Sequence, residues 1–431
     1  MPVRPPHIHL VSLGCAKNLV DSERLLGRLA AAGALLGAPA EAADVIIVNT
    51  CGFIAPAKEE SIETVLELSR YKSEGRCRRL LVIGCLSQRY RAELKAELTE
   101  ADGVFGLDED DAIVTACGLS ARKGRSAGRL VLTPKHTAYL RIADGCDNRC
   151  AYCAIPLIRG SFRSRRPREI LDEAKRLVAE GARELNVIAQ DTTRYGADFR
   201  QSYPIEKLLE NLAAIRGLRW LRLLYTHPAH FSEGLVAAYA TIEKLCPYVD
   251  LPLQHLNDDI LRRMGRRITQ AQALDVIAQL RDRVPGVAIR TSLLVGFPGE
   301  TRAQFNELLA LVRDLRFDHL GAFTYSREEG TRAAGMRRQV SERAKQRRLR
   351  DLMLTQQDVV REKHEAMAGH RTQVVIESRA PEDPALWYAR SQTQAPDVDG
   401  VTIVQGRRLS PGRFLNVKIT GHVGYDLLAS A

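Results

Sequence analysis

Short apolar runs separated by amphipathic stretches set the rhythm of the first 120 residues. Residues 8–13, 45–48 and 80–83 read as strands, while 19–32 and 58–70 read as helices, the first with Asp21 and Ser22 near its start. Strands alternating with helices predict a doubly wound parallel sheet. Loops at the carboxyl ends of such strands gather on one edge, and sites form there. Cys15, Cys51 and Cys85 each stand just past a strand end, two of them directly after Gly14 and Gly84. A core cysteine belongs inside an apolar run instead, so this placement predicts three thiols on one edge. Cys77 among arginines, Cys117 in a helical stretch and Cys246 at a helix end before Pro247 read as plain structural thiols.

A link over residues 120–129, containing Gly and Arg, separates this unit from the next. Strand patterns then recur at 139–143, 185–189, 218–225, 248–253, 288–295 and 319–325, with helical patterns at 169–180, 205–215, 270–283 and 303–315. These βα units show no reversal and predict an incomplete (β/α) barrel, with its site at the carboxyl ends of the strands. That rule selects Gln190 and Asp191, Thr226 to Pro228 with His227, Gln254 and His255, and the turn Gly296-Phe-Pro-Gly299 before Glu300. Gln190 and Gln254 are the polar candidates for a cofactor, and His227 and His255 read equally as pocket residues or loop histidines. Residues 337–365 read as long charged helices with Arg347, Arg348 and Arg350 solvated. From residue 372 the period changes to two, and five short strands in the final segment predict a small oligonucleotide-binding type barrel.

At 431 residues the chain is too long for one core. The fold class is α/β, in three domains expected over 6–121, 132–369 and 372–431. No apolar stretch is long enough to span a bilayer, and the start lacks a signal-peptide run, so a cytoplasmic location is expected. Nine cysteines there suggest metal or redox ligands, not disulfides. A net charge of +11 and a pI near 9.3 suit an acidic partner such as RNA or a ribonucleoprotein, or a merely well-solvated surface.

Cys146, Cys150 and Cys153 share one loop, with three residues between the first pair and two between the second. Thiolate is the soft ligand that iron–sulfur clusters and zinc prefer. Zinc wants a fourth Cys or His nearby, and none follows within ten residues of Cys153. A cubic cluster held by three thiolates leaves one iron open for a substrate.

This spacing, with Tyr152 before the last cysteine, resembles the signature of radical S-adenosylmethionine enzymes. The resemblance implies a 4Fe-4S cluster on Cys146, Cys150 and Cys153 whose open iron chelates S-adenosylmethionine and whose reduction yields an adenosyl radical. It implies that the turn with Gly296 and Gly299 shapes the adenosyl pocket. Tyr152, Gln190, Gln254 and Arg159 are the other expected cofactor contacts. The arginines 159, 163, 165, 166 and 168 suit phosphate, an acidic protein surface or the cofactor carboxylate, or else a solvated helix approach with Pro167 in the first turn.

The motifs around Cys15, Cys51 and Cys85 are similar to those of the methylthiotransferase branch, which implies a second 4Fe-4S cluster on these cysteines and a C-terminal TRAM domain. Relatives acting on transfer RNA usually read Cys-x-Met-Asn at the first cysteine, where this chain has Cys15, Ala16, Lys17 and Asn18. Residues 221–228, 251–255 and 395–400 also resemble the ribosomal (RimO-type) branch. The last segment, 371–431, holds seven basic against six acidic residues, which weakens an RNA grip and suits a protein partner. The implied reaction adds a methylthio group to the β-carbon of an aspartate in small-subunit ribosomal protein S-twelve, free or in the subunit. An unidentified electron donor and sulfur donor are also implied. The alternatives are a transfer-RNA adenosine methylthiotransferase and a non-catalytic iron–sulfur or RNA-binding scaffold.

Overall fold

A computed structural model describes residues 4–120 and 128–431. The link expected at 120–129 lies largely outside the described residues. In the first unit, β1 (His7–Ser12), β2 (Leu35–Leu36), β3 (Val45–Thr50), β4 (Arg79–Gly84) and β5 (Gly103–Val104) form a parallel sheet in the order β2-β1-β3-β4-β5. Both faces are apolar because helices cover both. Ile46, Val48, Leu80 and Val82 meet Val65 and Leu68 on one side. Val45, Ile47, Leu81 and Ile83 meet Leu25, Leu29 and Ile113 on the other. The first helix spans Ala16–Ala31 and starts earlier than its apolar pattern suggests. Gly14 (φ 87°) turns the chain sharply, and Cys15 is the extended residue before the first turn.

The middle unit begins with β6 (Thr137–Arg141), and a small ribbon pairs β7 (Ala143–Asp144) with β8 (Arg163–Ser164) across the cysteine loop. Strands β9 (Glu184–Ile188), β10 (Trp220–Leu223), β11 (Tyr248–Asp250), β12 (Ala288–Val295) and β13 (His319–Thr324) complete the wall. All pairings are parallel, in two three-stranded sheets, β10-β9-β6 and β11-β12-β13, that meet at a bridge between Leu221 and Leu245. The expected partial barrel is therefore present. Alternate strand residues such as Leu140, Val187, Leu223 and Leu293 pack under the outer helices, leaving residues of opposite parity to face inward.

The last unit is a closed barrel of β14 (Arg371–Arg379), β15 (Leu386–Ser391), β16 (Thr402–Gln405), β17 (Phe414–Val423) and β18 (Asp426–Ser430), in the order β14-β15-β16-β18-β17. Its segment 390–399 engages residues of the middle barrel. Tyr139 Oη donates to Asp397 at 2.9 Å, and Tyr248 Oη donates to Asp399 at 2.7 Å. Arg390 and Arg222 both reach the fully buried Glu184.

One long helix, Glu342–Ala366, replaces the several expected. Arg347 and Arg350 on it are exposed, but Arg348 is buried and pairs with Glu300 at 3.4 Å. The expectation of a solvated Arg348 is corrected because that face of the helix lies on the turn after β12. Cys77, Cys117 and Cys246 are all buried among apolar side chains. Cys117 follows its helix, and Cys246 lies just before β11 with its N–H bonded to Leu221.

Candidate active site at the seam of two cysteine trios

Cys15 follows β1, Cys51 follows β3 and Cys85 follows β4, so three neighbouring strands bring their thiols to one edge. The glycines before two of them are required by space. A Cβ on Gly14 would lie 2.9 Å from Cys51 Cβ, and one on Gly84 (φ 99°) would lie 2.1 Å from Asn49 Oδ1. Asn18 ties the three loops together. Its Nδ2 donates to the carbonyls of Leu13 at 3.1 Å and Thr50 at 3.0 Å, while its Oδ1 accepts from Cys85 at 3.2 Å and from Arg159 at 2.8 Å. Asn18 belongs to the quoted motif, yet nothing in its spacing marked it as the tie.

Crowding by neighbouring loops opposes ionisation of Cys15, whose surface is nevertheless exposed, and Lys17, the Asn18 N–H and Arg159 outweigh it and lower the thiol's pKa. Burial pushes Cys85 up to about 12, and it raises Cys51 too, with the Cys15 charge adding to both.

The second trio lies after β6. Burial pushes Cys146 up to about 11 and Cys153 to about 12, with Cys150 adding its charge in both cases. Among the described residues neither trio gathers its sulfurs within 4.8 Å of one another. Each trio offers soft thiolate donors of the kind that iron–sulfur clusters and zinc prefer. Tyr152 and Ala151 pack with Leu294 and Phe297, which anchors the loop beside the glycine turn. Gly296 donates its N–H to Glu300, and its open side is filled by Lys345, whose Cγ would lie 2.4 Å from a Cβ there.

Several buried polar atoms on the strand-end loops of the middle barrel have no protein partner among the described residues. Neither amide atom of Gln190 has one, nor does Arg266 Nε. Arg266 Nη1 lies 3.8 Å from Cys150 Sγ. His227 accepts the Ala229 N–H at Nδ1, which leaves Nε2 as a buried donor without an acceptor. Burial and the nearby Arg266 push its pKa far down, so the ring is neutral. Asp191 accepts from Asn148 of the cysteine loop at 2.6 Å and from His230 at 2.9 Å. Gln254, like Tyr225, holds a positive φ (69° and 58°) where its strand ends. These orphaned groups and soft donors fit a cluster with a polar, charged ligand. His255 turns its Nδ1 to the N–H groups of Leu256 and Asn257 as a buried loop brace.

Arg159 departs from the expected cofactor contact. Its donors go to Asp21 at 2.8 Å, Asn18 and Asp144, with Cys85 Sγ at 3.4 Å, so it serves the first trio. Arg165 pairs with Glu173, and Arg163, Arg166 and Arg168 are exposed. Cys85 shares a small apolar cluster with Ile158 and with Ala154, the residue after Cys153. The two trios thus share one seam.

Comparison with known proteins adds three family matches: "Uncharacterized protein family UPF0004" over residues 7–106, "Radical SAM superfamily" over 140–312 and "TRAM domain" over 368–431. The chain is 46% identical over 437 residues to a ribosomal protein uS12 methylthiotransferase RimO of Heliobacterium modesticaldum, covering 98% of this chain and 95% of that one. It is 46% identical to the protein of the same name from Pelotomaculum thermopropionicum, covering 97% and 98%. In fold it is similar to the radical S-adenosylmethionine methyltransferase TsrM of Kitasatospora setae, with a TM-score of 0.54 at 17% identity over 94% of this chain and 83% of that one.

Proposed function

Since the chain belongs to the family of ribosomal protein uS12 methylthiotransferases called RimO, we propose that it joins a methylthio group to the β-carbon of an aspartate of uS12. It is an enzyme of the radical S-adenosylmethionine class and uses that cofactor with iron–sulfur chemistry. The finer reading assigns one 4Fe-4S cluster to Cys146, Cys150 and Cys153 and a second to Cys15, Cys51 and Cys85. It assigns domains at 6–121, 132–369 and 372–431. It requires an electron donor and a sulfur donor, and it places the protein in the cytoplasm. No described helix is long and apolar enough to cross a membrane.

When bound, the clusters and S-adenosylmethionine supply hydrogen-atom abstraction and the methylthio sulfur, chemistry beyond ordinary acid–base side chains. The protein's own groups do the rest. Asn148, Asp191 and His230 hold the cysteine loop against β9. The Gln190 amide and the neutral His227 Nε2–H offer hydrogen bonds to a polar ligand in the barrel mouth, and Arg266 offers positive charge. Asn18 and Arg159 fix the first trio against the second.

The observation that carries this reading is that Arg159, on the helix after Cys153, lies 3.4 Å from Cys85 Sγ, with Cys85, Ala154 and Ile158 in one small apolar cluster. Anaerobic reconstitution with S-adenosylmethionine, a reductant and uS12, followed by mass spectrometry, tests it. A methylthio-sized increment on an aspartate is expected, and an increment on transfer RNA alone would overturn it.

A further inference from the structure

Nine lysine and arginine side chains are buried among the described residues: Lys17, Lys345 and arginines 129, 141, 159, 222, 266, 348 and 390. A cation removed from water needs a counter-charge, and seven of the nine have a carboxylate within ion-pair distance. The two exceptions are Arg266 and Lys17. Arg266 lies beside Cys150, on the side of the second trio. Lys17 follows Cys15 by two residues, on the side of the first.

The Lys17 ammonium lies 3.2 Å from the centroid of the Tyr225 ring at the end of β10. Tyr225 holds φ at 58°, a costly conformation for a residue with a side chain. Its N–H is bonded to Asp250 at 2.8 Å, which fixes this arrangement. A ring face steadies a cation but does not neutralise it. No carboxylate of the described residues pairs with this charge, which favours ionisation of Cys15 and stands between the first trio and the Tyr225 ring, where an incoming anion can reach it.

We infer that Lys17 is the specificity residue that receives the side-chain carboxylate of the acceptor aspartate. The inference rests on the proposed function. In that reaction the sulfur carried at the first trio must meet the acceptor's β-carbon, and the β-carbon is bonded directly to the carboxylate carbon. A cation next to Cys15 therefore lies where that carboxylate arrives.

The test uses the reconstituted full chain and two forms of uS12, one with the acceptor aspartate and one with asparagine at that position. Affinities are measured by anaerobic calorimetry. The wild-type chain is expected to prefer the aspartate form by roughly 30-fold, the lower range for a desolvated charge pair. Lys17→Met and Lys17→Gln are expected to erase the preference, and Lys17→Arg to keep most of it. A ratio of two affinities is independent of the folded fraction, so partial loss of clusters does not blur the result. If Lys17→Met and Lys17→Gln keep the preference, the inference is overturned while the transferase reading stands. If the wild-type chain binds neither form, both fall.

Discussion

The guanidinium of Arg159, on the helix that follows Cys153, lies 3.4 Å from the thiol of Cys85 at the end of β4. One side chain thus spans the seam between the sheet and the barrel, and it is almost fully buried. Its removal strands Asp21 with Arg141 as its remaining buried cation. Arg159→Ala is expected to destabilise the chain by about 3 kcal/mol and to lower iron binding at the first trio. Thermal unfolding and iron content per chain check both.

Each trio should carry its own share of iron. Cys150→Ala and Cys51→Ala are each expected to reduce iron per chain by about half under the two-cluster proposal. Cys150→Ala should abolish cleavage of S-adenosylmethionine, whereas Cys51→Ala should retain cleavage and lose methylthio transfer. Unaltered product in either variant would remove the assigned roles.

Gly14→Ala adds a methyl group 2.9 Å from Cys51 Cβ at a backbone φ of 87°. The strain and the clash together are expected to cost about 1–3 kcal/mol and to spread the Cys15 and Cys51 loops. Iron analysis should show loss at the first trio, and the absorbance of a Cys150→Ala, Gly14→Ala double variant should show almost no cluster.

Glu184 gives a pH dependence with a defined sign. Burial alone would raise its pKa, but Arg390 and Arg222 hold it at about 2, below its ordinary 4.5. Its stabilising contribution is therefore complete above pH 4.5 and is lost as pH falls toward 2. The difference amounts to about 3 kcal/mol. Glu184→Gln should remove that part of the acid slope and, by leaving Arg222 without a carboxylate and Arg390 with Glu377 alone, lower stability at neutral pH. Denaturation at a series of pH values compares the two.

Placement just past strand ends picked out Cys15, Cys51 and Cys85, and spacing alone picked out Cys146, Cys150 and Cys153, because both signals are local. The strand-end rule placed Gln190, His227 and Gln254 at the barrel mouth for the same reason. Partners distant in sequence were not legible. Asn18 and Arg159 are 141 residues apart, and nothing in either segment announces their bond. Arg348 looked like one more charge on a solvated helix, since a sequence shows a charge but not the buried Glu300 that accepts it. Lys17 stood out only as a departure from a motif until its position over Tyr225, with no carboxylate partner among the described residues, became visible. Strands β2 and β5 are two residues long, too short for any periodicity.

The segment 390–399 gives the C-terminal barrel a second consequence. With Asp397 and Asp399 seated against Tyr139 and Tyr248, and Arg222 donating to the Gln392 carbonyl at 2.7 Å, this loop acts as a stopper in the neighbouring cylinder. A chain cut before residue 371 would leave those hydroxyl and guanidinium groups without these partners. A macromolecule gripping the outer wall of this small barrel would accordingly be held at a fixed height from the reacting carbon, as a workpiece is held in a vice.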